Sequence, residues 1–284
     1  MTFQPLIPIS GVVGWKLLQN TFDRQFDTFS KSFEIQRNVD YFLENAAAVE
    51  DSSELVSDIR LLTVAAGAFG LSSEINKKAL LRKIIDDGTE SNEAIANKFN
   101  DDRFRQFSDA IGFGNVTGNR LLRSDVRQDI ADRYQRLAFE EAVGGVDDNM
   151  RLALNFKRAI AEIANTGYEG DSTGWLKAMG QQPVRAVLDT AFGLPAEFVK
   201  ADIDKQVETY QQKAQQVFGS KNVDVFQDPE VVDAAIRRFL ALSEAKAGPT
   251  ALTRGAGAVQ LLAGSGGNGL GASAQIGLIL SNAR

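Results

Sequence analysis

Neither cysteine nor histidine occurs in the 284 residues of this chain. Without cysteine there is no disulfide, no thiolate nucleophile and no thiolate-bound zinc. Without histidine the chain lacks the commonest general base, the Ser–His relay and the commonest transition-metal ligand. Carboxylate or lysine chemistry stays open, as does a hard cation held by carboxylates. Most enzyme classes are nevertheless set aside: a non-enzyme without a cofactor is expected. Positive charge is also short, with 31 lysines and arginines against 37 acids and a net charge of −6. Phosphate contacts need a basic face, so nucleic acid is not an expected partner. No apolar run approaches the ~20 residues that cross a bilayer, and no membrane insertion is expected. The opening MTFQPLIPISGVVGWK is apolar, but it lacks a basic stretch and is interrupted by Pro5 and Pro8. That makes a poor secretory signal, so synthesis as a soluble cytoplasmic protein is expected.

What is present is apolar material in helical spacing. Hydrophobic residues make up 44% of the chain, enough for a substantial core. From Trp15 to Phe33 the apolar positions are Trp15, Leu18, Phe22, Phe26, Phe29 and Phe33. Steps of three and four put them on one face of a helix. Similar stripes follow at Ile35, Val39, Phe42 and Leu43, and at Leu55, Ile59, Leu62 and Phe69. A long helix over SDVRQDIADRYQRLAFEEAV turns Val126, Ile130, Tyr134, Leu137 and Ala138 inward. No segment alternates as a strand would. The spacing predicts an all-α, multihelical fold.

The tetrapeptide AFGL occurs at residues 68–71 and again at 191–194. A glycine just past a helix can take the left-handed conformation that satisfies the last carbonyls, and the apolar residue after it packs back on the final turn. The next helix is expected to start at once in each copy, from Ser72/Ser73 with Glu74 and from Pro195 with Glu197. Further on, Phe99-Asn100-Asp101-Asp102 aligns with Phe226-Gln227-Asp228-Pro229, each an acidic cap before an apolar helix. This points to an internally duplicated helix–corner–helix unit. The chain divides into an N-terminal arm and aromatic helix (1–32), a first repeat (33–118), a connecting helix (119–147), a second repeat (148–247) and a Gly/Ala-rich tail (248–284). The composition of that tail is that of a mobile segment.

Several motifs carry less than their letters suggest. Gly264, Gly266 and Gly269 spell GxGxxG, but no acidic residue follows to bind a ribose, so no dinucleotide site is expected. The pairs Asp86-Asp87, Asp101-Asp102, Glu140-Glu141 and Asp147-Asp148 are neighbours in sequence. On a helix such neighbours point apart, and two of the pairs sit at helix ends and turns, where acids cap or are solvated, so structural roles are expected. Lys77, Lys78, Arg82 and Lys83 form a small basic face that the second copy lacks. The aromatic helix is expected to pack on the chain's own core through Phe22, Phe26 and Phe29. Trp15, beside a proline-broken start, is the candidate to face a partner. The candidate partner-binding residues are therefore Trp15, Leu18, Lys77, Lys78 and Arg82.

The segments GWKLLQNTFDRQFDTF, AFGLSSEINKKALLRKIIDDG, ANKFNDDRFRQFSDAIGFG, RLALNFKRAI and DPEVVDAAIRRFL resemble a family of all-helical, uncharacterised alphaproteobacterial proteins whose genes often lie among flagellar genes. The resemblance covers most of the chain up to the tail and implies a multihelical fold and a flagellum-linked role. The resulting expectation is a non-enzymatic structural or interaction protein of the bacterial flagellum, with flagellar components as partners and export without a cleaved signal peptide left open. The alternatives are a cytoplasmic chaperone or regulator of flagellar assembly and, more remotely, a carboxylate-dependent hydrolase. The oligomeric state is left open.

Overall fold

Apolar residues three and four apart form helices along the whole of the computed structural model, which describes residues 3–99, 101–167 and 171–247. In chain order these are α1 (Gly11–Ser30), α2 (Phe33–Asn45), α3 (Ser52–Ser57), α4 (Ile59–Gly67), α5 (Lys78–Asp87), α6 (Ile95–Lys98) and α7 (Asp102–Ile111). They continue as α8 (Ser124–Gly144), α9 (Asp148–Asn165), α10 (Asp171–Gly180), α11 (Gln182–Ala191), α12 (Ile203–Phe218) and α13 (Pro229–Ala247). No strand occurs among the described residues, and the fold is all-α and multihelical as expected.

Aspartates begin many of these helices. Asp51, Asp58, Asp101 and Asp147 each accept hydrogen bonds from first-turn amides of α3, α4, α7 and α9. A carboxylate there satisfies amides that have no helical partner and sits favourably at the positive end of the dipole. The pairs Asp101-Asp102 and Asp147-Asp148 are thus a cap followed by a first-turn acid.

Both AFGL segments form the same corner. Gly70 and Gly193 each have φ of 69°. The Leu71 amide donates to the Ala66 carbonyl at 3.0 Å and the Gly70 amide to Gly67 at 3.0 Å; Leu194 donates to Asp189 at 2.8 Å and Gly193 to Thr190 at 2.9 Å. This is the Schellman pattern in both copies. An arginine from a later helix clamps each corner: Arg103 on α7 donates to the Gly70 carbonyl, and Arg238 on α13 to the Ala191 carbonyl, both at 2.5 Å.

One detail differs from expectation. The next α-helix does not start at the corner; a 3₁₀ turn comes first, Ser72–Glu74 in one copy and Ala196–Lys200 in the other. The copies also diverge in packing. In the first, α7 packs on α5; in the second, α13 packs on α11, α9 and α1.

Helix α8 is more than a connection: it packs against α1, α2, α4 and α9 and so lies at the centre of the described helices. One continuous core runs from Trp15 to Leu240 and joins every described helical segment from α1 to α13. The Gly/Ala-rich tail expected to be mobile, and the glycine motif within it, lie outside the described residues, as does Asn100 of the aligned caps.

Two expectations about the N-terminal region are corrected. The aromatic stripe is not one helix to Phe33: the chain breaks at Lys31-Ser32, where Ser32 is extended (φ −63°, ψ 144°), and Phe33 opens α2 with its ring exposed. The proline-broken start, expected to leave Trp15 with few neighbours of its own chain, is instead held against α1. Gln25 of α1 accepts from the Leu6 amide at 2.7 Å and donates to the Leu6 carbonyl at 3.3 Å, which lays residues 3–10 back along the helix. The Phe139 ring of α8 then sits among Phe3, Phe22, Phe26 and Phe29, with centroids 5.4 to 6.2 Å away. Edge-to-face rings at such spacing add to the gain from burial alone.

Candidate functional site

The structure separates the five residues chosen from sequence. Trp15 and Leu18 are each 1% exposed and belong to the core, so the expected partner face does not include them. The physical reason lies in α13. Asp233 accepts from Trp15 Nε1 at 3.0 Å and from Gln19 Nε2 at 3.1 Å, and it pairs with Arg237 at 3.1 Å. A tryptophan whose indole N–H finds a carboxylate within its own chain has both its apolar body and its polar edge satisfied.

Lys77, Lys78 and Arg82 do lie at the surface, at the start of and along α5, but they do not form an uncompensated basic face. Lys77 pairs with Glu74 at 2.7 Å, Arg82 with Asp86 at 3.5 Å, and neighbouring Lys83 with Asp87 at 2.8 Å. Lys78 reaches the Ser57 carbonyl at 3.4 Å. The Glu74 carboxyl is held below its usual range chiefly by the Lys77 hydrogen bond, and Asp87 by that from Lys83. Spacings of three and four on or next to one helix neutralise the charge locally.

Glu140 has a structural role, as a buried acid inside α8. It is 5% exposed and faces Arg158 of α9 at 3.2 Å. Burial pushes its carboxyl up, against the pull of Arg158. In the second repeat Asp189 accepts from Tyr210 at 2.5 Å and from Arg185 at 3.3 Å, while Arg185 also donates to Gln206 at 2.5 Å. Burial, then the Asp189 hydrogen bond, pushes the Tyr210 hydroxyl up. This network fastens α12 to α11 behind the second corner and faces the core. Among the described residues no group of three or more acids is placed to hold a metal ion.

Two grooves lined by described residues carry charged and aromatic side chains. One, of about 490 Å³, lies between Phe69 of the first corner, α7 and α8. Its arginines are committed: Arg120 to Asp109 at 3.0 Å, Arg123 to Asp125 at 2.6 Å and Arg133 to Asp129 at 2.8 Å. The other, of about 500 Å³, lies between α2 and α4 and is lined by Phe33, Gln36, Arg37, Asp40, Tyr41, Glu44 and Arg60. Spacing explains this second lining. Ile35, Val39 and Phe42 turn α2 into the core, which leaves Phe33, Arg37 and Tyr41, four residues apart, along its outer face.

The α2–α4 groove is built in layers. Asp58 caps α4 and accepts from the Tyr41 hydroxyl at 2.7 Å. Burial would raise the Asp58 carboxyl, but the Tyr41 bond and the α4 amides together hold it below its usual range; the same bond pushes the Tyr41 hydroxyl up. The Arg60 guanidinium stacks 3.8 Å from the Tyr41 ring centre and donates to the Arg37 carbonyl at 3.2 Å. Its Nε is buried with no hydrogen-bond partner. At the open end Phe33 is 79% exposed, and the Arg37 guanidinium lies 5.5 Å from its ring centre. Arg37, Asp40 and Glu44 form no ion pair among the described residues, unlike the charges of the other groove. Sequence reasoning missed this face because it assigned Phe33 to the core stripe. The signal was the i, i+4, i+8 spacing of Phe33, Arg37 and Tyr41.

Fold and surface together define a multihelical, all-α protein with a duplicated corner and an aromatic–arginine groove on one outer helix. The chain belongs to the family described as protein of unknown function (DUF1217), whose model matches residues 68–232 and so spans both AFGL corners. The chain is also similar to the crystal structure of a protein from Agrobacterium tumefaciens, at 25% identity and a TM-score of 0.68, over 87% of this chain and 100% of that one. Comparison with curated proteins gives no match. Among the described residues no helix is long and apolar enough to cross a membrane.

Proposed function

We propose that this is a non-enzymatic interaction protein that docks a protein partner through the α2–α4 groove, in the setting of the bacterial flagellum. The observation that carries the docking reading is the exposed Phe33 beside Arg37, which forms no ion pair among the described residues. Aromatic and arginine side chains dominate the energetics of protein interfaces because they combine large apolar area with few or well-ordered polar groups. The fitting partner segment offers an apolar side chain to Phe33 and a carboxylate to Arg37. One turn further along it offers a base to Asp40 and Glu44. The flagellar setting is supported by the sequence resemblance alone.

Cell fractionation with a specific antibody tests both parts. Recovery with basal bodies or in the medium, lost on combining Phe33→Ala with Arg37→Ala, is the expected outcome. Recovery only in the cytoplasm would oppose the structural flagellar role and favour a chaperone or regulator. Unchanged partitioning of a folded double variant would oppose docking through this groove.

A further inference from the structure

Helix α2 contributes Phe33, Gln36, Arg37, Asp40, Tyr41 and Glu44 to the lining of the α2–α4 groove. All of them except Tyr41 are exposed. Their spacing along the helix reads the same from either end, with its midpoint between Asn38 and Val39. Turned end over end about that point, the face maps onto itself: Arg37 falls on Asp40, Gln36 on Tyr41 and Phe33 on Glu44. The charges are complementary under the same operation. Arg37 comes opposite Asp40 at two places, and no like charges are opposed. Within one chain Arg37 and Asp40 stand three apart on one helix, yet they form no ion pair among the described residues. The Arg37 guanidinium instead lies 5.5 Å from the centre of the Phe33 ring.

We infer that the occupant of this groove is a second copy of the chain, paired through antiparallel α2 helices about a two-fold axis between Asn38 and Val39. The inference rests on the docking reading above and names the partner. A second α2 offers what this face asks for: the Asp40 carboxylate to Arg37 and, one turn on, the Arg37 guanidinium to Asp40. Parallel pairing would set Arg37 against Arg37 and Asp40 against Asp40, and such like-charge contacts suppress association.

The register follows from the same residues. Sliding one helix by a turn in one direction sets Arg37 against Arg37. Sliding it in the other carries Phe33 past Asn45, where α2 ends. In the remaining register Phe33 reaches the Tyr41–Glu44 turn of the second copy. There Arg60 stacks 3.8 Å from the Tyr41 ring centre and broadens the surface that receives the phenylalanine. Each copy presents the same patch to the other, the self-complementary contact of a closed dimer. One 13-residue helix and the groove beside it form a contact at the small end of specific interfaces, so a dimer that dissociates on dilution is expected.

Sedimentation of the purified full-length chain over a range of concentrations tests this. The weight-average mass of wild type should rise with concentration towards that of a dimer. Arg37→Asp alone and Asp40→Arg alone should each abolish the rise, because each sets like charges opposite one another. Both positions are exposed, so the helix content by circular dichroism should stay unchanged. An equimolar mixture of the two single variants should restore association, since each copy then meets the opposite charge on the other. A wild type that stays monomeric, association that either single variant leaves intact, or a mixture that does not associate would overturn the inference. The docking reading fails on a different result, the absence of any crosslinked adduct from α2 in cells. An adduct with another protein, from a chain that sediments as a monomer, would refute the second copy and keep the groove as a docking site.

Discussion

Gly193 isolates what one backbone conformation contributes. It sits at φ 69° with no atom within 4 Å of where a Cβ would be, so a side chain meets strain but no collision. Gly193→Ala should therefore cost about 1–2 kcal/mol, the left-handed penalty alone, with Gly193→Asn costing clearly less because asparagine tolerates that conformation. Chemical unfolding of the three proteins checks the order. Both corner glycines were legible in the sequence because a helix stop followed by an apolar residue is a local pattern. Trp15 was not: its partner Asp233 lies 218 residues away, and no local spacing marks such a contact. Glu140 was equally opaque, since its partner Arg158 comes from the next helix. Burial raises the Glu140 carboxyl in the folded chain, so the folded state binds more protons than the unfolded one in the window just above the ordinary carboxylate range. Its contribution to stability then falls as pH rises through that window. Urea unfolding between about pH 4 and 7 should show the stability of wild type relative to Glu140→Gln declining with pH. An increase would mean that the Arg158 attraction outweighs burial.

At the scale of elements, periodicity was a good guide to which stretches are helical and a poorer guide to which faces are buried. The aromatic residues of α1 were legible as a stripe, but the break at Lys31-Ser32 carries neither glycine nor proline, so Phe33 was placed on the wrong helix and the wrong side. Helix α8 shows the reverse difficulty. Tyr134 meets Asn38 of α2 and Gly67 of α4, whereas Phe139 meets the rings of α1 and Glu140 meets Arg158 of α9, so the buried face turns along its length. Tyr134 was read as inward, whereas Phe139 and Glu140, off the first stripe, were not. Phe139 is fully buried and gathers four rings around it. Phe139→Ala should cost about 3–5 kcal/mol, whereas Phe33→Ala should change stability by less than about 0.5 kcal/mol. Thermal and urea denaturation of the two variants distinguishes the core ring from the displayed one.

At the scale of the whole molecule, the two AFGL corners share one continuous core, and an exposed phenylalanine with an arginine against its ring stands on the outer face of α2. The all-α class was legible because steps of three and four recur without strand-like alternation. The packing of the repeats was not, because the sequence marks their corners but not which helix the third element of each unit will meet. Among the described residues Arg37, Asp40 and Glu44 form no ion pair, whereas Arg82, Lys83, Asp86 and Asp87 of α5 pair with one another. What separates this face from a merely solvated one is the exposed Phe33 ring with the Arg37 guanidinium beside it. The most direct test is site-specific photo-crosslinking in living cells. The photoreactive residue is placed at Phe33 or Arg37, with exposed Gln128 on α8 as the control. One discrete adduct from both α2 positions, absent from Gln128 and containing a protein that co-fractionates with basal bodies, is the expected result. No adduct from α2, or the same adducts from all three positions, would contradict docking through this groove.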